Sequence, residues 1–408
     1  MTSDDPLGII ELGNKKIKCI IFKIIDNNIE ILSSSINDSN GFYNDVVVNP
    51  SKASSTIRLC ISSAEKKAKV LLKKINLIFE QPDFLCTKFS KQKKIDGSKI
   101  YKEDIEFLLS EAKKQLLLND KKQTLIHIFN YNYIVDGKKF IEEPINIYAD
   151  SLTHEITFIS LPKNNLKNIN QVFIDCDIKI ERFISRIFSL GAKILTTKEL
   201  ELGSVIVDLG SDKTSIGLFK NFALIHSNTF PIGVSHITKD IAKVCSLNLD
   251  ESESIRNDFD FLFKDNSKIF DEKKYLKKNY FINSKYRKIS EDLISKVIKA
   301  RMDEIFEVLK KQLNITDLNS TTGISFLIFG GGSNFLNIEK YFTDYFDLHV
   351  KKFDSGNSDK EYIFKKEFAS CLGGIKIIKD GWETEAIPKK TDKNNEKTGF
   401  FSKVFGIR

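Results

Sequence analysis

Residues 206–217 read IVDLGSDKTSIG and residues 9–20 read IIELGNKKIKCI. Each is an apolar run that ends in a carboxylate, a Leu and a Gly, then turns through polar residues into a second apolar run. A strand that turns tightly through Gly presents consecutive backbone N–H groups, which form an anion-binding concavity. A carboxylate at its edge can hold a metal-bound water, because Mg²⁺ keeps much of its hydration shell. Two such turns facing each other are what a two-lobed clamp on a nucleotide triphosphate needs. Taken singly, either copy also reads as a Gly-containing hairpin in a sheet.

A third element makes the pattern more specific. In FLIFGGGSNF (326–335) an apolar strand ends in Gly330, Gly331 and Gly332, followed by Ser333, Asn334 and Phe335. Glycines at such a strand-to-helix turn let a flat ligand approach the backbone closely.

With 408 residues the chain exceeds the size, about 250–300 residues, at which one hydrophobic core usually stops growing, so two lobes are expected. The net charge of +8 suits an anionic partner without naming one. The six cysteines are scattered singly, with no C-x-x-C pair, and read as buried thiols of a reducing cytosol. The N-terminus lacks a basic region followed by an apolar run, and no stretch reaches the roughly 18 apolar residues of a spanning helix, so a cytoplasmic protein is expected. No Ser-His-Asp or paired general-acid constellation suggests another chemistry.

The chain has a legible order. Strands at Gly8–Glu11, Ile17–Ile25 and Ile29–Ser33 precede a helix over Ser54–Lys74, with Ile57, Ile61, Ala64, Ala68 and Leu71 on one face. From about Phe84 to Leu161 an inserted subdomain carries its own helix, Lys102–Leu118, and two β-rich stretches. Strand-helix order then returns before the second carboxylate-Leu-Gly motif and another meander, so the second half repeats the first. A polar stretch, IPKKTDKNNEKTG, reads as a linker.

Hairpin, hairpin and triple-Gly turn occur in the order of the two phosphate loops and adenosine motif of the actin, Hsp70 and sugar-kinase superfamily, which the chain resembles. Within it the chain is similar to the FtsA family of actin-like bacterial division proteins, which tether FtsZ filaments to the membrane. FALIHSNTFPIGVSHITKDIA (222–242) carries this resemblance most specifically, through a strand, a Pro-Ile-Gly turn and a helix. YIVDGKKFIEEPINI (133–147), ISKVIKARMDEIFEVLKKQL (294–313) and EFASCLGGIKII (367–378) add to it.

The resemblance implies a two-lobed actin-like, ribonuclease H-like α/β ATPase fold with an inserted 1C subdomain. It places subdomain 1A at 1–83, 163–198 and 349–386, 1C at 84–162, 2A at 199–235 and 313–348, and 2B at 236–312. A linker over 387–398 and a membrane-targeting helix over 399–408 complete the chain. ATP and Mg²⁺ are the implied cofactors. Gly13, Asn14, Lys15 and Lys16 fall on the first phosphate loop, and Gly210, Ser211, Asp212, Lys213 and Thr214 on the second. Glu253 and Arg256 match the ribose- and base-contacting pair, and Gly330, Gly331, Gly332, Ser333, Asn334 and Phe335 border the adenosine. Arg256 reads equally as part of a solvated helix face. Glu11 and Asp208 are the candidate catalytic carboxylates, Asp208 holding Mg²⁺ through water. Departures from the family pattern bear on turnover: Glu11 stands where the family has Asp, Asn14 where it has Thr or Ser, Ser211 and Asp212 where it has glycines, and Ser215 where it has Asp. Side chains crowd the second turn and Asp212 adds a negative charge, so slow hydrolysis at most is expected.

Two further stretches point to partners. KKYLKKNYFINSKYRK (273–288) interleaves seven Lys or Arg with aromatics, in the place of subdomain 2B, which binds the FtsZ C-terminal tail. Lys277, Lys278, Arg287 and, on the next helix, Arg301 are the candidate contacts. A solvated helix face over buried aromatics and a nucleic-acid stacking surface have similar compositions, although no nucleic acid is expected. In GFFSKVFGIR (399–408), Phe400, Phe401, Val404, Phe405 and Ile407 share one face of a helix, as in an anchor on an anionic membrane surface. Self-association into filaments, with 1C taking part, and a location on the cytoplasmic face of the cell membrane at the division site follow from the resemblance. The alternatives are an actin-like or Hsp70-like ATPase, or a PilM-like scaffold, without FtsZ tethering.

Overall fold

The apolar residues on both sides of the first Gly turn are buried on both faces of the hairpin. Ile9 and Ile10, and likewise Cys19, Ile20, Ile21 and Phe22, are each 0 % exposed although consecutive side chains of a strand point to opposite faces, so the sheet is covered on both sides. A computed structural model describes residues 3–140, 142–261, 268–315, 324–353 and 360–380. The chain divides into two compact units: one takes the described parts of 1–204, 217–228 and 355–408, the other 205–216 and 229–354.

The first unit opens with β1 (Ser3–Glu11), β2 (Lys16–Ile25) and β3 (Asn28–Asp38), an antiparallel meander. A two-stranded ribbon, β4 (Phe42–Tyr43) and β5 (Val46–Val47), leads to helix α1 (Pro50–Ala68) and strand β6 (Lys74–Phe79). Helix α1 starts where Asn49 accepts from Lys52 N and Pro50 supplies a helical φ. It ends at Lys69, which is left-handed at φ 56°. The expected helix over Ser54–Lys74 therefore begins and ends earlier, and Leu71, expected on its apolar face, is exposed in the loop beyond it. Ala53, Ile57, Ile61 and Ala64 do form the buried face.

The insert follows: β7 (Leu85–Lys99), α2 (Lys102–Asn119), β8 (Gln123–Val135), β9 (Lys138–Phe140) and β10 (Tyr148–Pro162). Its sheet has the order β7-β10-β8-β9. Asp136 and Gly137, at φ 46° and 79°, make the tight β8–β9 turn that Asp-Gly favours. Helix α2 covers the sheet through Ile105 and Leu108 against Tyr133 and Leu152, and through Leu109 and Ala112 against Ile128 and Phe158.

The chain then returns through α3 (Lys163–Ile174), β11 (Lys179–Ser185), α4 (Arg186–Ile194) and α5 (Thr197–Leu202). The second half supplies β12 (Ser204–Leu209), β13 (Thr214–Lys220), β14 (Ala223–Phe230), α6 (Val234–Cys245), α7 (Leu249–Asp258) and α8 (Glu291–Ile315). It closes with β15 (Ser325–Phe329), α9 (Ile338–Phe346), β16 (Val350–Lys352), α10 (Lys360–Glu367) and α11 (Ala369–Asp380).

The two large sheets run β3-β2-β1-β6-β11 and β14-β13-β12-β15-β16. In each, three strands consecutive in the chain lie side by side and two later strands are added beside the first of them, and the closing pairs β6 with β11 and β15 with β16 are parallel. The repeat visible in the two quoted motifs is thus a repeat of sheet topology.

Candidate functional site

The two quoted turns have the same local construction. A β-carbon at Gly13 would stand 2.7 Å from Lys16 O, and one at Gly210 would stand 2.6 Å from Lys213 O. In each the carbonyl three residues on folds back over the glycine, and Gly210 N donates to Lys213 O at 3.0 Å. Only glycine fits so close an approach.

In the second unit, the turn after β12 meets two other elements. The first residues of α6 donate into it, Val234 N to Gly210 O at 3.1 Å and Ser235 N to Ser211 O at 2.7 Å. Ser235 Oγ donates to Asp212 Oδ1 at 2.6 Å and Lys239 Nζ lies 3.9 Å from it. The charge expected to burden the turn at Asp212 is therefore met by α6. Lys213 is buried, and Thr214 Oγ1 donates to Ile232 O of the Pro-Ile-Gly turn at 2.7 Å. The Ser211 hydroxyl has no hydrogen-bond partner among the described residues.

The triple-Gly turn packs directly on β12. Gly330 is at φ 90°, and a β-carbon there would strike Asp208 Oδ1 and stand 2.6 Å from Leu209 O. At Gly332 a β-carbon would come within 2.7 Å of both Leu209 Cβ and Val234 Cγ1. Gly331 differs: it is exposed, and a β-carbon there would meet nothing within 4 Å. Ser333 turns inward, its hydroxyl donating to Gly330 O at 2.7 Å, and Asn334 is exposed. Phe335 is buried edge-on against Phe261, at 5.4 Å between ring centroids, so it supports the turn from the core side.

Arg256 is buried, which overturns its reading as a solvated helix face. It donates to Val234 O (3.2 Å), Thr238 Oγ1 (2.8 Å), Glu253 Oε1 (3.0 Å) and Asn257 Oδ1 (2.8 Å), and so fixes α7 to the first turn of α6. Asp208, the second turn, Glu253, Arg256 and the triple-Gly turn are all gathered by the second unit.

In the first unit, Glu11 ends β1 with its carboxylate 2 % exposed. Arg186 Nη1 lies 2.9 Å from Oε1, Lys18 Nζ lies 3.8 Å from Oε2, and the Ser370 hydroxyl and Cys371 thiol both donate to Oε2. Burial alone would raise its pKa, but the Lys18 and Arg186 charges and these hydrogen bonds hold it below the usual carboxylate value. Its two oxygens are occupied by the protein itself. Asn14 Nδ2 donates to Asn44 Oδ1 at 2.9 Å, and Lys16 pairs with Asp38 at 2.6 Å. Among the described residues no group of three His, Cys, Asp or Glu could hold a metal ion.

The basic stretch 273–288 forms no α-helix, which overturns the helix-face reading. It is irregular apart from a 3₁₀ turn at Lys278–Tyr280, with Leu276 and Tyr280 buried. Lys277 Nζ donates to Lys268 O at 3.2 Å, and Lys278 lies over the Tyr286 ring. Arg287, expected as a partner contact, donates to Cys245 O at 2.6 Å and to Ser246 O, and thereby satisfies the C-terminal carbonyls of α6. Arg301 forms a forked pair with Asp240 at 2.6 and 3.1 Å, tying α8 to α6. The linker over 387–398 and the tail residues Phe400, Phe401, Val404, Phe405 and Ile407 lie outside the described residues.

Three residues that no motif pointed to matter here. Arg186 and Ser370 reach Glu11 from far along the chain. Glu251, fully buried at the start of α7, accepts from Asn248 N, Asn283 N, Ser284 N and Ser284 Oγ. Burial opposes ionisation, yet these donors, Ser284 foremost, bring its carboxyl down to about 2. It holds the basic stretch onto α7. A capping-box pattern, Asn248 with Glu251, was the only sequence signal for it.

A family model described as "Cell division protein FtsA" matches residues 205–373, and one described as "SHS2 domain inserted in FTSA" matches residues 85–160. The cell division protein FtsA of Agrobacterium fabrum (strain C58 / ATCC 33970) is 20% identical over 338 residues, covering 80% of this chain and 76% of that protein. The FtsA of Neisseria meningitidis serogroup B is 22% identical over 347 residues, covering 85% and 83%. Among solved structures, a chain of a PilM-PilN type IV pilus biogenesis complex superposes with a TM-score of 0.63 at 10% identity, covering 91% of this chain and 98% of that one. MreB 5 of Spiroplasma citri bound to AMPPNP gives 0.55 at 12% identity, covering 93% and 99%. At such identities these two likenesses speak to the fold, which is that of the actin-like ATPases.

Proposed function

We propose that this chain, which belongs to the FtsA family of actin-like cell-division proteins, binds ATP through its Gly turns and anchors FtsZ filaments to the cytoplasmic face of the cell membrane at the division site. The observation that carries the nucleotide reading is the contrast within the triple-Gly turn. Gly330 and Gly332 are glycines because the protein's own atoms press on them, whereas Gly331 faces open space. A glycine with no internal reason to lack a side chain suits close approach by a ligand. The Ser211 hydroxyl and the second turn then meet the phosphates, and Glu253 and Arg256 border the nucleoside.

Asp208 fits a magnesium ion held through water, since that ion needs few protein ligands once phosphate oxygens are present. Glu11 does not fit such a role, because both of its oxygens are engaged. The ion, when bound, would offset phosphate charge. Hydrolysis is slow at most, because no unengaged carboxylate stands at the first turn.

The FtsZ C-terminal tail is assigned to the basic stretch 273–288, with Lys277 and Lys278 as contacts and Arg287 and Arg301 holding the surface in place. Filaments form by self-association with the inserted subdomain taking part, and the C-terminal residues 399–408 meet an anionic lipid surface. The family supports this reading over an actin-like ATPase or pilus scaffold lacking FtsZ tethering.

Equilibrium dialysis with labelled ATP tests the nucleotide assignment. Gly331→Asp is expected to abolish binding. A wild type that binds ATP no better than this variant overturns it.

A further inference from the structure

We infer that the outer edge of β7 receives an acidic, extended segment of another protein as an added strand of the inserted sheet. The inference lies within the insert and is independent of the nucleotide and FtsZ readings above.

Strand β7 runs for 15 residues at one end of the order β7-β10-β8-β9. It pairs with β10 on one side, and among the described residues no strand pairs with the other. The direction of its outer backbone groups follows from β10. Ser151 O accepts from Asp136 N, and Ser151 N donates to Asp136 Oδ1, so Ser151 faces β8. Backbone groups alternate sides along an antiparallel strand, so Leu152, His154 and Ile156 face β7, and their partners Lys93, Lys91 and Phe89 face back. The N–H and C=O groups of Lys88, Ser90, Gln92 and Lys94 therefore point away from the sheet, and all four residues are exposed. At about 3.3 Å per residue this is an edge of roughly 20 Å. It begins at Lys88, because the start of the strand is engaged: the Ser227 backbone donates to the Cys86 sulfur.

An unpaired edge invites another strand, and lysines on it commonly serve to keep strands away. Here the charges select which strand can pair. β7 carries Lys88, Lys91, Lys93, Lys94 and Lys99 against one acid, Asp96. Lys93 is matched by Asp104 Oδ1 of α2 at 2.6 Å, and Glu155 of β10, opposite Ser90, accepts from Asn132 Nδ2 at 3.1 Å. Lys88, Lys91 and Lys94 form no ion pair among the described residues. In a second copy of this chain, β7 against β7, lysine would meet lysine, and like charges directly opposite are destabilising. An acidic segment reverses the sign at those positions, while main-chain hydrogen bonds to the outward groups supply the pairing, the general mode of strand addition. Phe107 of α2 is 50% exposed, with the Lys93 ammonium 4.9 Å from its ring centroid. It gives the added strand an apolar contact on the α2 side. The segment that fits is thus extended, with acidic side chains toward Lys88 and Lys94 and an apolar one toward Phe107.

The test is hydrogen exchange of full-length protein titrated with a synthetic peptide of alternating Glu and Val, about ten residues long to match the edge, and with its Lys-Val counterpart. Exchange at β7 is the readout, because an acidic peptide also suits the 273–288 stretch. In wild type the Glu-Val peptide is expected to slow the amides of Lys88, Ser90, Gln92 and Lys94 at concentrations below about 1 mM, and less so as salt rises. Ser90→Pro removes one outward N–H and no bond to β10, a place where an edge strand tolerates proline. It is expected to unfold at the wild-type temperature and to need about tenfold more peptide or more. Lys88→Glu with Lys94→Glu is expected to lose the protection as well. Protection equal in wild type and both variants, equal with the Lys-Val peptide, confined to residues 273–288, or absent altogether overturns the inference. A wild-type dimer that Ser90→Pro dissociates overturns it in favour of a second copy at this edge.

Discussion

Gly330 rests on Asp208: a β-carbon at residue 330 would strike the Asp208 carboxylate, and the residue's φ of 90° already excludes most side chains. Its neighbour Gly331 meets nothing within 4 Å. Alanine at the two positions should therefore separate folding from binding. Gly330→Ala is expected to cost about 2–4 kcal/mol, from backbone strain and overpacking together. Gly331→Ala should leave urea unfolding unchanged to within about 0.5 kcal/mol while weakening ATP binding. If both alanines shift unfolding equally, the distinction between internal contact and ligand face is wrong.

The inserted subdomain contains a proton-sensitive residue. His154 on β10 is 0 % exposed, stacks on the Tyr133 ring at 4.4 Å, and finds no hydrogen-bond partner for either ring nitrogen among the described residues. Burial drives its imidazole down to about 3. In the unfolded chain it titrates near the ordinary value of about 6.5, so the unfolded state binds the proton first and stability falls as pH drops below that value. The loss is about 1.4 kcal/mol per pH unit once well below 6.5, down to about 3. Hydrogen exchange of the β8 and β10 amides at pH 7.5 and 5.5 should show it, and His154→Phe should flatten the difference. An unchanged pH dependence in that variant would assign the effect to other groups.

Basic residues in the 273–288 stretch should divide into two kinds. Lys277→Glu with Lys278→Glu is expected to weaken binding of an acidic FtsZ C-terminal peptide and to reduce its salt dependence, because exposed charges act through a screened field. Arg287→Glu should instead cost about 1–2 kcal/mol of stability, since it sets a carboxylate against the C-terminal carbonyls of α6. Peptide titration and thermal unfolding of both variants decide this. Peptide affinity unchanged in the Lys277 and Lys278 variant moves the docking surface elsewhere.

What the sequence made legible was whatever a local backbone rule enforces. Gly13, Gly210 and Gly330 could be read because no other residue allows those turns. The surroundings of Glu11 were not legible for the opposite reason: its partners, Arg186 and Ser370, come from distant parts of the chain, and no spacing rule links them to it. The end of α1 was placed too late because Leu71 continues the apolar period, although Lys69 has already left the helix. The basic stretch suggested a helix face by composition, while its order comes from Glu251, whose hold on Asn283 and Ser284 is a tertiary contact.

The membrane assignment rests on the amino-acid sequence of the tail. Partial burial of Phe400, Phe401, Val404, Phe405 and Ile407 at a lipid interface would contribute several kcal/mol, at about 25 cal/mol per Å² of apolar area. A ten-residue helix is marginal in water, so part of that gain is consumed in folding on the surface. Lys389, Lys390, Lys393, Lys397, Lys403 and Arg408 outnumber Asp392 and Glu396, and each basic group near an anionic leaflet adds about 1 kcal/mol. A single tail should then bind reversibly, and several tails joined along a filament should bind firmly, because each later contact is intramolecular. Vesicle co-sedimentation is expected to pellet wild type better with anionic than with neutral lipid. Truncation after Thr398, or Phe401→Glu with Phe405→Glu, should leave the protein in the supernatant with ATP binding intact. A truncated chain that pellets as well as wild type means that the tail is not the anchor.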